Sequence, residues 1–378
     1  MRGLFIATAV ALSLSPAAQA GPAAAAEKAR SVDVVLCLDT SNSMDGLIDS
    51  AKRKLWAIVN DLAKIEPAPT LRVALYSYGN DNYDPKVGWV RKDLDLTTDL
   101  DDVYKQLSAL TTRGGTEYVA RVTRDALAQL KWSEDKDGLR LIFVCGNEPA
   151  NQDQEVTLQS VAAEAKVKGV LINTIYCGSP SHPEAVGWKE FAGIAGGKYA
   201  YIDQDRAGSV AAIKTPYDEE LTKLGAEINK TYCWYGERGA AACANQLEQD
   251  KNAEKVSKEV AAERSATKAT RLYSNAAADL IDRMKTDKDF DVKKMKAEDL
   301  PEEMRKLKPE EREGYLKKKA EERAEIQKKV ADLTAKRAKF VEEERKKEPK
   351  NAADKAFDEA LKVILKEQAE AKGMKVKE

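Results

Sequence analysis

The alternation of short apolar runs with helical periods between Ser31 and about Lys223 is the feature that most limits the fold. The main predicted strands are Val32–Leu38, Leu71–Tyr78, Leu139–Cys145 and Val170–Tyr176, with an edge strand at Gly88–Leu96 and a short strand at Lys198–Ile202. The predicted helices are Leu47–Ile65, Asp99–Leu110, Tyr118–Leu130, Thr157–Lys168 and Pro183–Ala195. Continuous apolar strands separated by helices indicate a mostly parallel sheet covered on both faces. We therefore expect a doubly wound α/β domain over residues 31–222.

The remainder, residues 223–378, has a different composition. Ala, Glu, Lys and Arg dominate it, and its apolar residues recur at helical spacing. Within Pro309–Lys347 an apolar stripe has heptad-like steps, formed by Ile326, Val330, Leu333 and Phe340. Two arginines, Arg323 and Arg337, occupy positions of the same stripe and interrupt it. A second amphipathic face follows at Phe357, Leu361, Ile364 and Leu365. The stripe predicts either a helical hairpin that packs on itself or on the first domain, or a coiled coil that binds a partner chain or mediates oligomerisation. We favour internal packing because most apolar stripes face a core.

The N-terminus has the layout of a secretory signal peptide. Arg2 precedes an apolar run from Leu4 to Leu14, and Ala18-Gln19-Ala20 forms an A-x-A cleavage signal. Residues 1–20 are therefore predicted to be removed on export to the periplasm, the cell surface or the medium, with no stable membrane insertion afterwards. An uncleaved membrane tether is the alternative. Lys and Arg total 62 and Asp and Glu 63, so a formal net charge of −1 gives no general attraction to nucleic acid.

Export predicts an oxidising compartment, in which disulfides persist. Cys233 and Cys243 flank a stretch rich in Gly and Ala, and we expect them to close a small disulfide loop. Cys37 lies inside the first predicted strand. Cys145 and Cys177 each end a predicted strand, where they are expected to be small buried hydrophobes, with a second disulfide between them left open.

The stretch VDVVLCLDTSNSMDG ends the first predicted strand in oxygen-bearing side chains. Ligands of open parallel sheets bind at the carboxyl ends of the strands. Asp39, Ser41 and Ser43 follow a D-x-S-x-S pattern there, and oxygen is the ligand atom that hard cations such as Mg²⁺ prefer. The alternative is that the two serines only cap the following helix.

These residues resemble the metal-ion-dependent adhesion site of the von Willebrand factor A domain family. D-x-S-x-S followed by Met44 is the signature of that site, and Gly114-Gly115-Thr116 is similar to the segment that supplies a threonine ligand. The resemblance covers about the first half of the mature chain. It implies a doubly wound α/β fold, a bound divalent cation, expected to be magnesium, and Thr116 as a further ligand. In the family, a carboxylate from a partner protein typically completes the coordination.

One position departs from the family pattern. The family usually has an aspartate within T-D-G after the fourth strand, and here Cys145-Gly146-Asn147-Glu148-Pro149 places Gly146 at that position. Asp39 is then the one dedicated carboxylate, and the electrostatic attraction for the ion is reduced. We expect weak binding, with Asn147 or Glu148 as candidate substitutes. This G-N-E-P variant, followed by charged helices, resembles that of exported bacterial proteins.

The resemblance implies a protein-binding or adhesion module that contacts an acidic group on an unidentified protein partner. The alternative is an envelope scaffold that has lost its ion and binds through the C-terminal helices. Catalysis is not expected. His182 is the only histidine, and neither a nucleophile elbow nor a zinc-type cluster of ligands accompanies it.

Overall fold

The structure is a computed structural model and describes residues 29–44, 48, 56, 58–202, 213–347 and 363–376. The predicted signal peptide, residues 1–20, lies outside the described residues, as do Phe357 and Leu361. The strands are β1 Ser31–Asp39, β2 Ile65–Glu66, β3 Thr70–Tyr78, β4 Val90–Thr97, β5 Leu139–Gly146, β6 Leu171–Tyr176, β7 Tyr199–Tyr201 and β8 Lys375–Val376. The main helices are α1 Leu100–Ala109, α2 Val119–Gln129, α3 Leu158–Lys168, α4 Ala185–Ile194, α5 Asp218–Asn229, α6 Gly236–Val256, α7 Lys258–Lys268, α8 Leu280–Thr286 and α9 Pro309–Lys347. Residues 58–62 and 363–371 are also helical.

A six-stranded sheet lies at the centre of the first half, in the order β4-β3-β1-β5-β6-β7. Every neighbouring pair is parallel except β3 and β4, which are antiparallel and contain register shifts. The predicted doubly wound, mostly parallel α/β fold is confirmed, and helices follow in the C-terminal region. Ile65, predicted to end a helix, instead forms the two-stranded pairing of β2 with β8.

Alternation along β1 sends its side chains to two separate cores. Val34 and Leu38 join one hydrophobic cluster, and Val35 and Cys37 join another on the opposite face. The second cluster is closed by α2, α3 and α4. Because both faces of β1 are buried, the continuous apolar run of its sequence is explained.

The first cluster extends well beyond the predicted α/β domain. It includes buried residues from the helical region, namely Val260, Tyr273, Val330, Ile364 and Met374. The boundary predicted between residues 222 and 223 falls inside α5, and the same core continues across it. The helical region therefore completes the covering of one sheet face.

The apolar stripe of α9 faces helices of the same chain. Val330 is fully buried in the first cluster, Ile326 and Leu333 pack against it, and the ring of Phe340 meets the ring of Tyr217 edge-on at 6.4 Å. This is the internal packing that the sequence favoured over a coiled coil with a partner. A helix of 39 residues spans about 58 Å, which makes α9 the longest of the described helices.

The two arginines appear in the sequence as interruptions of the stripe, but in the structure each forms ion pairs, which are buried for Arg323 and part-buried for Arg337. Arg323 is 1% exposed and donates to Asp279 and Asp282 at 2.9 and 3.0 Å. Arg337 donates to Asp218 at 2.7 Å. Arginine therefore fixes the position of α9 where a hydrophobic residue had been expected.

A second buried network joins the helical region to α1. Arg264 is 1% exposed and donates to Asp101 of α1 at 2.7 Å and to Asp250 of α6 at 2.6 Å. Lys268 adds a contact to Asp250 at 2.9 Å, and the Tyr273 hydroxyl donates to Asp101 at 2.5 Å. Burial opposes the ionisation of Asp250, but the Lys268 and Arg264 cations outweigh it and lower the pKa of that carboxyl.

Residues 363–376 return to the α/β domain. The side-chain amides of Gln368 and Asn173 exchange hydrogen bonds at 2.8 and 3.1 Å, and β8 pairs with β2. Arg30 donates to the carbonyl of Lys372. None of the helices in the described part of the chain has the length and apolar composition that a bilayer crossing requires.

The predicted disulfide between Cys233 and Cys243 is not formed in this structure, where both residues are thiols. The Gly/Ala-rich stretch is the start of a helix, α6, and not a loop. Cys243 therefore lies on a helix at intermediate exposure, whereas Cys233 is buried in a third cluster with Leu280 and Leu316. The two thiols belong to different environments.

Replacing Arg264 tests whether its buried network holds the two halves together. Arg264→Met leaves the carboxylate of Asp101 buried without its cation, and we expect the free energy of unfolding to fall by about 3–5 kcal/mol. Lys223→Ala, which removes an exposed pair with Glu219, is the control, with an expected loss of less than about 0.5 kcal/mol. Urea denaturation of the full chain measures both, and equal losses would contradict the assignment.

Candidate functional site

β1 delivers Asp39 to the carboxyl edge of the sheet. Asp39 pairs in register with Tyr78 of β3, and its side chain is completely buried. Oδ1 accepts a hydrogen bond from the Ser41 amide at 2.8 Å, whereas Oδ2 has no hydrogen-bond partner. Buried polar atoms are rarely left unbonded in folded proteins, so Oδ2 indicates a position for an additional group.

The two serines of the D-x-S-x-S pattern lie together beside Asp39. The Ser41 and Ser43 hydroxyls are 3.1 Å apart, and the Ser43 hydroxyl donates to Oδ1 of Asn147 at 3.2 Å. A single turn of 3₁₀ helix, Asn42–Met44, brings them onto one side of the loop. The alternative of a serine cap concerns residues 45–47, which lie outside the described residues.

The loop that contains Thr116 packs against the same turn. The Arg113 amide donates to the Thr40 carbonyl at 2.9 Å, and the Asp81 amide donates to the Gly114 carbonyl at 2.7 Å. A Cβ on Gly115 would lie 2.4 Å from the Gly79 carbonyl oxygen, so only glycine permits this approach. Thr116 is half-buried in this loop, which packs against the turn that follows β1.

The structure gives a physical reason for glycine at position 146. A Cβ there would lie 2.5 Å from the Tyr78 hydroxyl, 3.0 Å from the Trp188 ring and 3.1 Å from Oδ2 of Asp39. The Tyr78 hydroxyl is itself held by a 2.8 Å bond to the Cys145 carbonyl. The space that a carboxylate at 146 would need is therefore occupied.

The two candidate substitutes from the sequence differ in position. Asn147 is half-buried and accepts the bond from Ser43. Glu148 is exposed, and its backbone carbonyl accepts from the Trp188 indole at 2.9 Å. Asn147 is thus in contact with the serine pair, while the Glu148 side chain is exposed.

Glu117 is a residue of the site that the sequence reasoning missed. Its side chain is largely buried and accepts a hydrogen bond from Gln152 at 3.3 Å. A Cβ built on Gly79 would lie 2.9 Å from Cγ of Glu117 and 3.0 Å from Oδ1 of Asp39, so the two acids flank the same glycine. The only signal in the sequence is the position of Glu117 directly after Thr116.

Acidic groups dominate the electrostatics of the site. The pKa of Asp39 is raised to about 8, mainly by burial and in part by the neighbouring carboxyls of Glu117 and Glu148, whereas hydrogen bonds from Ser41 lower it. Burial likewise raises the pKa of Glu117. Among the described residues, no Lys or Arg forms an ion pair with these three acids.

The donor set fits a hard cation held mainly by neutral oxygen. The described residues contain no group of three or more His, Cys, Asp or Glu side chains arranged to hold a metal. What they contain is the unbonded Oδ2 of Asp39, the hydroxyl pair of Ser41 and Ser43, and the nearby acid of Glu117. Such a set suits Mg²⁺ or Mn²⁺ chemically and predicts low affinity.

A cysteine or serine hydrolase finds little support in the geometry. Burial raises the pKa of the Cys145 thiol well above its usual range, opposite to what a thiolate nucleophile requires. His182 lies with Nδ1 3.4 Å from the Tyr176 hydroxyl, within a loop. The chemistry of the edge is therefore that of an oxygen-lined binding site.

An open α/β sheet with an oxygen-lined site at its carboxyl edge is typical of a class of ligand-binding domains. Sequence comparison shows which family within this class the domain resembles. Residues 33–216 match the family model of the von Willebrand factor type A domain. Over these residues the chain is similar to a von Willebrand factor A domain, as the motifs predicted. Such domains are commonly protein-interaction modules with a metal-ion-dependent adhesion site. A search of curated protein sequences gave no match.

Solved structures similar to this chain include those of three proteins. Proximal thread matrix protein 1 from the mussel byssus, solved with a zinc-occupied MIDAS motif, is 14% identical over 47% of this chain and 43% of its own, with a TM-score of 0.35. The SpRpn10 VWA domain is 19% identical over 47% and 89%, with a TM-score of 0.36. A von Willebrand factor type A protein from Catenulispora acidiphila is 13% identical over 47% and 40%, with a TM-score of 0.36. The present chain therefore spans less than half of the mussel protein.

The raised pKa of Asp39 predicts a pH-dependent stability in the metal-free protein. The unfolded chain loses this proton near the ordinary pKa of 3.8, and the folded chain keeps it until about pH 8, so folding stability falls as pH rises between these values. Asp39→Asn removes that loss. We expect the free energy of unfolding of the variant to exceed that of wild type by a margin that increases from pH 4.5 to 8 and reaches on the order of a few kcal/mol.

Urea denaturation in chelator at several pH values measures this margin. Asp137→Asn, at an exposed position far from the site, is the control for removing one carboxylate. A margin that does not change between pH 4.5 and 8 would show that Asp39 ionises normally in the folded protein.

Proposed function

We propose that this chain is an exported protein-binding module that contacts an acidic group of a partner through a weakly bound divalent cation. The observation that supports this most directly is the buried Asp39 carboxylate, whose Oδ2 has no hydrogen-bond partner beside the Ser41 and Ser43 hydroxyls. A cation at this edge would satisfy that oxygen and offset the repulsion among the surrounding acids.

Asp39, Ser41, Ser43 and Thr116 are the residues that would hold the ion, with Asn147 adjacent. The ion would supply positive charge at a rim that is otherwise acidic, and a cation surrounded mainly by neutral oxygens attracts a further carboxylate strongly. Magnesium is the expected ion because all of these donors are oxygen atoms. The role of this chain's residues is to orient the ion and to leave one side of it open.

The exposed residues around the site suit an acidic partner. Asn42 and Ser43 are exposed on one side, and the exposed Arg113 lies on the neighbouring loop, where it donates to Asn82 at 3.0 Å. A guanidinium close to a bound cation favours a carboxylate over a basic group. The partner would therefore present an Asp or Glu side chain, or a free carboxyl terminus, to this rim.

Export supports the same proposal. Residues 1–20 have the pattern of a signal peptide, and an exported interaction domain would meet its partner in the periplasm, at the cell surface or in the medium.

The alternative is a scaffold that contains no ion and binds through its C-terminal helices. The packing of α9 bears on this alternative, because its apolar stripe is buried against the same chain. The exposed surface of α9 is mainly Lys and Glu, and it forms surface ion pairs such as Lys346 with Glu342. Helix-mediated binding would thus depend on charged surfaces, which are sensitive to salt.

Metal titration of the full chain tests the proposal. We expect Mg²⁺ and Mn²⁺ to bind wild type with a dissociation constant in the range of about 0.1–10 mM, as in oxygen sites with few charges, and Asp39→Ala to abolish binding. Zn²⁺ is included because the mussel protein contains zinc at its MIDAS motif. Isothermal titration calorimetry measures binding, with Asp137→Ala as the control.

A pull-down from native envelope material, with and without chelator, connects the ion to a partner. The full chain is used because the helical region shares a core with the α/β domain. Flat titrations for all three ions, together with partner capture that is unchanged by chelator, would favour the scaffold over the metal-dependent module.

A further inference from the structure

We infer that Glu117 supplies the second carboxylate of the metal site, in place of the acid that position 146 lacks. The inference rests on the proposed function, since it assigns a further ligand or charge to the same ion. Glu117 lies in the loop before α2, whereas the family's second acid corresponds to Gly146 at the end of β5.

Position 146 has no room for a second acid. Tyr78, Trp188 and Asp39 all lie within 3.1 Å of a Cβ built on Gly146, and the Tyr78 hydroxyl is fixed by its bond to the Cys145 carbonyl. A second acid at the end of β5 would displace two buried aromatic side chains. A second carboxylate near Asp39 must therefore come from another element.

Glu117 lies beside Asp39, across Gly79. Gly79 has no side chain, and the space beside its Cα is bordered by Cγ of Glu117 and Oδ1 of Asp39. The Ser41 amide donates to Oδ1 of Asp39, and the Ser41 side chain favours the ionised form of both carboxyl groups and so lies near both. Glu117, Ser41 and Asp39 thus form one continuous group of oxygen donors, with the unbonded Oδ2 of Asp39 at its buried end.

A hydrogen bond from a neighbouring loop holds the Glu117 side chain in place. Its Oε2 accepts from Gln152, and the next residue, Asp153, forms a bidentate pair with Arg121 of α2 at 2.7 and 2.8 Å. Arg121 and Glu117 belong to the same loop-to-helix segment. The pair therefore fixes the Gln152 loop to the start of α2 and orients Glu117 towards Asp39.

Electrostatic repulsion between Asp39 and Glu117 also favours a cation between them. Two neighbouring carboxyl groups with little access to water repel each other unless a cation or a shared proton lies between them. Among the described residues, neither acid has a Lys or Arg ion-pair partner. A divalent cation would neutralise both acids at once, and Thr116 and Glu117 would then contribute a hydroxyl and a carboxylate from adjacent positions.

Glu117→Gln is the variant that tests this assignment, because the amide keeps the size of the side chain and removes only its charge. We expect the dissociation constant for Mn²⁺, measured by calorimetry on the full chain, to rise at least tenfold. Glu148→Gln is the matched control, since it removes an exposed acid from the same rim, and we expect a change of less than threefold.

Stability in chelator separates a ligand from a merely structural residue. If Glu117 is a ligand, the metal-free Glu117→Gln protein melts at the same temperature as wild type or higher at about pH 9, where Asp39 is ionised and its repulsion with Glu117 is relieved. A lower melting temperature together with unchanged Mn²⁺ affinity would identify a structural role and overturn the inference.

The outcomes also distinguish this inference from the proposed function. If wild type and Glu117→Gln bind Mn²⁺ equally well, the role of Glu117 is refuted and the proposed function is not. Wild type that binds no Mn²⁺ refutes both proposals. A larger effect of Glu148→Gln than of Glu117→Gln would assign the second carboxylate to Glu148 and likewise overturn the inference.

Discussion

The central position of β1 is the constraint on which the site depends. β1 pairs in parallel with β3 on one side and β5 on the other, so its final residue, Asp39, is enclosed between two neighbouring strand ends. The same arrangement brings the Tyr78 hydroxyl to the Cys145 carbonyl and fills the space beside Gly146. One set of strand pairings therefore buries the first acid and prevents a second acid from following β5. In our proposal, the loop before α2 completes the charge of the site.

Buried ion pairs hold the helical region in place on the sheet. Arg264 joins α6 and α7 to α1, and Arg323 joins α9 to the segment around α8. Buried pairs add little net stability compared with apolar packing, but a misaligned helix would leave charges without partners. They consequently favour one docking of the helices over others. The helices cover a face of the sheet and leave exposed residues such as Asn42 and Arg113 at its carboxyl edge.

Local patterns in the sequence were sufficient for the fold of the first half and for part of the site. Strand runs, helical periods and the two motifs each depend on residues close in the chain, and Asp39, Ser41 and Ser43 meet as expected. Glu117 was missed because its role depends on how its loop packs against Gly79. The disulfide was expected because Gly and Ala suggested a loop, whereas the packing around α6 favours a helix. The burial of Arg323 could not be foreseen, because its acidic partners, Asp279 and Asp282, lie far away in sequence.

The return of residues 363–376 to the sheet has a consequence for biosynthesis. Ile364, Leu365, Ala369 and Met374 cover the same hydrophobic cluster as β1, and β8 closes against β2. A ribosome completes the strands of the sheet long before it reaches these residues. Throughout that interval one side of the nascent α/β domain exposes apolar surface that its own helices do not cover. Newly made chains would accordingly be substrates for holding chaperones until translation has passed residue 376.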